Sequence, residues 1–136
     1  MILDTSALAA IFFGEPEGAR FIEMISQADR CRISAANFVE ISMAIEGQIG
    51  PEAGRQCDVF FSRADIIIEP VTVEQAQLAR QAFLDFGKGR HPAGLNFGDC
   101  FAYALATLSG EELLYKGDDF GRTGIAGVRV DGASVG

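Results

Sequence analysis

Met1-Ile2-Leu3-Asp4-Thr5-Ser6-Ala7-Leu8 reads as a short buried strand that gives way to a helix at an acid. Ile2 and Leu3 form the apolar run, Ala7 to Ile11 have helix-forming composition, and Thr5 or Ser6 can cap the helix, so Asp4 falls at the strand-to-helix turn. In an open α/β sheet that edge is where ligands bind. A carboxylate half-buried there is costly without a partner, and no base lies nearby in sequence to neutralise it. A metal ion is the economical partner.

The rest of the chain repeats the alternation of short apolar strand and amphipathic helix. Pro16 and Pro51 stand at first-turn positions of helices that run to about Asp29 and Asp65. Ser34 caps a helix expected over Ala35 to Glu46, with Gly47 beyond its end. Thr72, with Gln75 three residues on, begins a helix that ends at Gly87, and Asn96 caps one from Phe97 to Leu108. Cys31-Arg32-Ile33, Ile66-Ile67-Ile68, Leu113-Leu114-Tyr115 and Gly127 to Val130 are the remaining strands, Ile66-Ile67-Ile68 the plainest. This order predicts an α/β fold, a mainly parallel central sheet with helices on both faces. With 136 residues and 49% of them hydrophobic, the material suffices for one core, so residues 1–136 are expected to form a single domain.

Composition narrows the function. Eleven Lys and Arg against nineteen Asp and Glu give a formal charge of −8, which argues against binding nucleic acid by phosphate neutralisation alone. Acids that gather divalent ions remain compatible with phosphate chemistry. Cys31, Cys57 and Cys100 are odd in number and set among apolar residues, as reduced buried thiols are. The chain lacks both a basic-then-apolar start and any run of 18 apolar residues, so no membrane association and a cytoplasmic location are expected.

Four acids converge on this scheme. Asp4 follows the first strand, Asp118 or its neighbour Asp119 follows another, Asp99 lies in the first turn after Asn96, and Glu40 lies early in the helix that begins at Ala35. Strand carboxyl ends and helix amino ends share one side of a doubly wound sheet, so all four can meet there. Taken singly, Asp99 is accounted for by the helix dipole, Glu40 by solvation and Asp118 by the turn around Gly117. Together they form the oxygen-rich ligand set preferred by Mg²⁺ or Mn²⁺, with hydrolysis of a phosphodiester as the natural reaction class. The single histidine, His91, stands in the glycine-rich stretch 87–94, which makes a Ser-His-Asp arrangement improbable. That stretch reads as a mobile loop, and its Lys88, Arg90 and His91 are the local positive surface expected to guide a polyanion to the acids.

Met1 to Leu8, Phe38-Val39-Glu40, Asn96 to Ala106 and Leu113 to Phe120 resemble the motifs of PIN-domain ribonucleases, specifically the VapC-type toxins of toxin–antitoxin modules. The resemblance implies a PIN-like fold in which Asp4 and Asp99 hold a divalent metal, Glu40 completes the cluster and Asp118 is the fourth acid. It implies further that Thr5 or Ser6 orients Asp4 through its hydroxyl. RNA as substrate, a homodimer and inhibition by an antitoxin whose basic segment enters the acidic site are likewise implications of the resemblance. Gly124 stands where the family commonly has another acid.

Three other readings compete. A non-enzymatic α/β protein-binding domain would use the acids as caps and present Phe12, Phe13 and Phe38 to a partner. A stand-alone PIN nuclease would lack the antitoxin. An aspartyl phosphatase needs a second acid two residues after its nucleophile, and here that place holds Ser6.

Overall fold

Every strand of the central sheet is short, two or three residues, and every one runs parallel to its neighbours. The computed structural model describes residues 1–129. The five strands are β1 (Ile2–Leu3), β2 (Arg32–Ser34), β3 (Ile67–Glu69), β4 (Leu113–Tyr115) and β5 (Gly127–Arg129). They lie in the order β3-β2-β1-β4-β5, with Ile2 opposite both Arg32 and Leu113, and Leu3 opposite Leu114. Between them run α1 (Thr5–Phe12), α2 (Gly18–Gln27), α3 (Ala35–Gln48), α4 (Pro51–Arg63), α5 (Val73–Phe86) and α6 (Phe97–Ser109), with a 3-10 turn at Phe120–Arg122.

The alternation of side chains along a strand sorts the core into two layers. Leu3, Ile33 and Leu114 pack beneath α1 to α4, whose Leu8, Phe21, Ile41 and Phe61 are buried with them. Ile2, Leu113 and Tyr115 face the other way, onto Ala79, Ala82, Leu105 and the rest of the α5–α6 layer. Burial on both faces is why β1 and β4 read as unbroken apolar runs. β3 is at the sheet edge, so Ile67 and Ile68 are exposed although they made the plainest strand in the sequence, and Ile66 just before them is the buried residue.

Some local expectations are corrected. Neither Thr5 nor Ser6 caps α1: Asp4 does so itself, its Oδ2 accepting from the Ser6 backbone N–H at 2.9 Å. α3 runs past Gly47 to Gln48, which a single glycine at a helix end does not prevent. The stretch 87–94 is pinned by its own backbone. Lys88 N donates to Leu95 O and Leu95 N to Phe86 O, each at 2.9 Å, and the Arg90 and His91 amides both donate to Gly87 O. Among the described residues no helix is long and apolar enough to cross a membrane.

Candidate active site

β1 reverses the direction of strand order: β2 and β3 lie on one side of it, while β4, reached by a crossover through α5 and α6, lies on the other. Such a switch point opens a crevice at the strand carboxyl ends. Asp4 leaves β1 there, and its backbone N–H donates to Leu114 O of β4 at 3.0 Å. Lys116-Gly117-Asp118-Asp119 leaves β4 beside it.

Asp4 is 1% exposed, and its Oδ1 is buried without a hydrogen bond. Burial drives its carboxyl up to about 6, against hydrogen bonds at Ser6 that pull it down, and the charge of Glu40 adds to the rise. Ser6 has a second contact: its Oγ accepts from the Lys116 backbone N–H at 2.9 Å, which ties the start of α1 to the end of β4.

Asp99 reaches the same edge from α6. Asn96 caps that helix with its Oδ1 on the Asp99 N–H at 2.9 Å, and Asp99 Oδ2 accepts in return from Asn96 N at 3.0 Å, a complete capping box. The helical explanation of Asp99 is thus correct, and it is incomplete. Its carboxyl is raised to about 7, first by burial and then by the charge of Asp4, with Asp119 and Glu40 adding to it. A residue placed only to complement a helix dipole has no reason to stand within the field of three other carboxylates. Asp119 therefore joins the cluster by its charge, and Asp118 stands beside it in the same turn, both exposed.

Glu40 arrives from α3. It accepts a hydrogen bond from Thr5 Oγ1 and a longer one, 3.4 Å, from Asn37 Nδ2. The Thr5 hydroxyl thus contacts Glu40, whereas at Asp4 it is Ser6, through its side chain and its backbone N–H, that favours the charged carboxylate. Asn37 and Gly98 had no role in the sequence reading. Asn37 is buried, and Gly98 lies against the Glu40 carboxylate so closely that a Cβ would stand 2.3 Å from both of its oxygens. Glycine in a helix's first turn was the available signal, since it costs about 1 kcal/mol there relative to alanine.

Of the basic residues expected to guide substrate, Arg90 and His91 pack on the end of α5. Arg90 lies 5.6 Å over the Phe83 ring, and His91 stacks edge-to-face on Phe86 while its Nδ1 accepts from Ala93 N. Lys88 is exposed. Lys116 is held by Glu15 at 2.9 Å and Glu17 at 3.0 Å. Arg122 donates to Pro92 O at 3.0 Å, joining the 3-10 turn to the glycine loop. A groove of about 1060 Å³ runs between α2 and α4, but none of Asp4, Glu40, Asp99 and Asp118 lines it, so the acids lie outside that groove.

The cysteines are inert. All three are buried and unbridged, and burial pushes the Cys57 and Cys100 thiols up to about 11.

The carboxylates suit a hard divalent cation. Among the described residues no three Asp, Glu, His or Cys side chains form a ready-made ligand group. Asp4, Glu40 and Asp99 each give one oxygen to a protein donor and keep the other. What remains is the orphaned Asp4 Oδ1 amid like charges, a buried acceptor that a cation would satisfy.

A PIN-domain family model matches residues 1–126. "VapC ribonuclease Mb0625" of Mycobacterium bovis is 48% identical over 126 residues, covering 92% of this chain and 95% of its own. "Ribonuclease VapC" of Mycolicibacterium smegmatis is 45% identical over 129 residues, covering 94% and 99%. The chain belongs to the PIN-domain family and, within it, to the VapC proteins. In fold it is similar to Mycobacterium tuberculosis VapC20, titled a Sarcin-Ricin loop cleaving toxin, with TM-score 0.76 at 20% identity over 95% of this chain and 98% of that one. It is also similar to a chain of the toxin–antitoxin complex from Klebsiella pneumoniae, with TM-score 0.71 at 17% identity over 96% of each.

Proposed function

We propose that this protein is a divalent-metal-dependent endoribonuclease, the toxin of a toxin–antitoxin pair acting in the cytoplasm. The observation that carries the reading is Asp4: a buried carboxylate with one oxygen unsatisfied, at the sheet's switch point, in the field of Glu40 and Asp99. The VapC relatives at 45–48% identity are ribonucleases, which supports the reaction class, and the similar fold in the Klebsiella pneumoniae toxin–antitoxin complex supports an antitoxin partner.

Asp4, Asp99 and Glu40 would hold Mg²⁺ or Mn²⁺, with Asp119 or Asp118 as the fourth acid. The ion, when bound, activates water and stabilises charge on the phosphoryl centre. The chain's own part is to fix the acids. Ser6 holds Asp4 through its backbone N–H, the capping box holds Asp99, and Thr5 holds Glu40. Lys88 and Arg90 supply the positive charge that an acidic protein needs to hold RNA. A homodimer and an antitoxin with a basic segment complete the proposal.

Purified protein should cleave single-stranded RNA, lose this activity in EDTA and regain it with Mg²⁺ or Mn²⁺. Equal cleavage in EDTA refutes the metal. Asp4→Asn and Asp99→Asn keep the hydrogen-bond acceptors at Ser6 N and Asn96 N, so both should fold and lose cleavage by at least 100-fold, on the order expected for loss of charge stabilisation at a reacting centre.

A further inference from the structure

Asn37 stands where the segments carrying Thr5, Glu40 and Gly98 meet. It lies in the first turn of α3 with no exposed surface. Its Nδ2 gives its two hydrogens to the Gly98 carbonyl of α6 at 3.0 Å and to Thr5 Oγ1 of α1 at 3.1 Å, and lies 3.4 Å from Glu40 Oε1, a contact that shares one of those hydrogens. A carbonyl oxygen only accepts, so the amide atom facing Gly98 must be the nitrogen.

That fixes the direction of everything downstream. An amide nitrogen has no lone pair to offer, so the Thr5 hydroxyl receives from Asn37 and must send its own proton elsewhere. It sends it to Glu40 Oε1. One Glu40 oxygen is thereby held by the Thr5 hydroxyl with the Asn37 amide beside it, and the absence of a side chain at Gly98 leaves room for the carboxylate. The cost of the arrangement is the Asn37 Oδ1, buried with no hydrogen bond. A leucine of similar shape would carry no such penalty.

We infer that Asn37 is a positioning residue for Glu40: through the one-way relay to Thr5 and the tie to the Gly98 carbonyl it sets the orientation in which Glu40 faces the other acids, and so raises the site's affinity for a divalent cation. The inference rests on reading Asp4, Glu40 and Asp99 as the metal-holding acids.

Mn²⁺ alone is the probe, titrated into the full chain and followed by the electron paramagnetic resonance of the free ion, with melting temperature recorded for each variant. Asn37→Leu and Asn37→Ala should bind Mn²⁺ at least tenfold more weakly than wild type, the scale of effect seen when groups that orient metal ligands are removed. Thr5→Val should lose a similar factor, and Thr5→Ser, which keeps the hydroxyl, should retain affinity. In Asn37→Leu/Thr5→Val the losses should not multiply, because both residues act through one relay. A purely structural Asn37 would lower the melting temperature and leave Mn²⁺ affinity alone. Folded Asn37 variants that bind Mn²⁺ as wild type does, while Asp4→Asn has lost it, overturn the inference and leave the metal site standing. Wild-type affinity in Asp4→Asn overturns the metal site itself. If neither Asn37 variant folds, the residue is a structural one and the inference fails.

Discussion

Asp4 serves two demands that conflict in the metal-free protein: it caps α1 and it places a charge where water is excluded. Its carboxyl titrates near 3.8 in an unfolded chain and is raised to about 6 here by burial, so the folded state holds a proton that the unfolded state has already released. Folding stability must then fall as pH rises from about 4 to about 6, by about 3 kcal/mol for this group alone at ~1.4 kcal/mol per pH unit. Asp99, raised to about 7, extends the decline upward. Urea denaturation of the metal-free protein at pH 5 and pH 7.5 should show this drop, and Asp4→Asn should flatten it and be the more stable protein at pH 7.5. A melting curve that is unchanged between these two pH values would mean that the carboxylate is solvated. Gly98 makes a complementary prediction: Gly98→Ala, favourable by helix propensity, should abolish RNA cleavage because its Cβ displaces the Glu40 carboxylate from 2.3 Å away.

At the scale of elements, most helices were readable because they carry their own punctuation; α2 does not, since it begins at Gly18 with no side-chain cap and Pro16 lies before its first turn. Pro51 at the start of α4, Ser34 before α3, Thr72 before α5 and the Asn96–Asp99 pair before α6 all act in the structure as their chemistry predicts. Asp4 as its own cap was missed because serine and threonine follow it, and which of three consecutive capping residues does the work depends on where the strand ends. The shape of the glycine loop was not legible for a different reason. Glycine content signals available freedom, while the hydrogen bonds between Phe86, Lys88 and Leu95 that close the loop are invisible in sequence. This changes what the loop can contribute. Arg90 is placed over Phe83 and Lys88 is exposed, so on the proposed reading the two charges differ in how they would meet RNA. In Lys88→Ala/Arg90→Ala, RNA affinity should fall and the slope of its logarithm against salt should become shallower by roughly one to two, about 0.7 per phosphate contact for a single strand. Filter binding at two salt concentrations decides this, and an unchanged slope assigns the RNA path elsewhere on the edge.

The whole molecule joins these parts through strand order, and strand order is what sequence leaves open. Alternating elements imply a parallel sheet, but nothing local states that β4 crosses over to lie beside β1, and that crossover brings Asp4 next to the turn holding Asp118 and Asp119. Asn37 and Gly98 went unnoticed for the same reason, since their roles exist only once α3 meets α6. The molecule that results carries a net charge of −8 with several acids gathered at one edge. Such an edge repels RNA until cations fill it and attracts arginine in their absence, so a basic antitoxin segment and the metal would compete for the same carboxylates. Antitoxin affinity should accordingly drop with rising salt and drop again in Asp4→Asn/Glu40→Gln/Asp99→Asn, while Mn²⁺ added to wild type should weaken it in proportion to site occupancy. Surface plasmon resonance of a cognate antitoxin's basic segment against wild type and the triple variant measures both effects, and affinity indifferent to all three substitutions would move the antitoxin's contact away from the acids, leaving the α2–α4 groove as the surface to test.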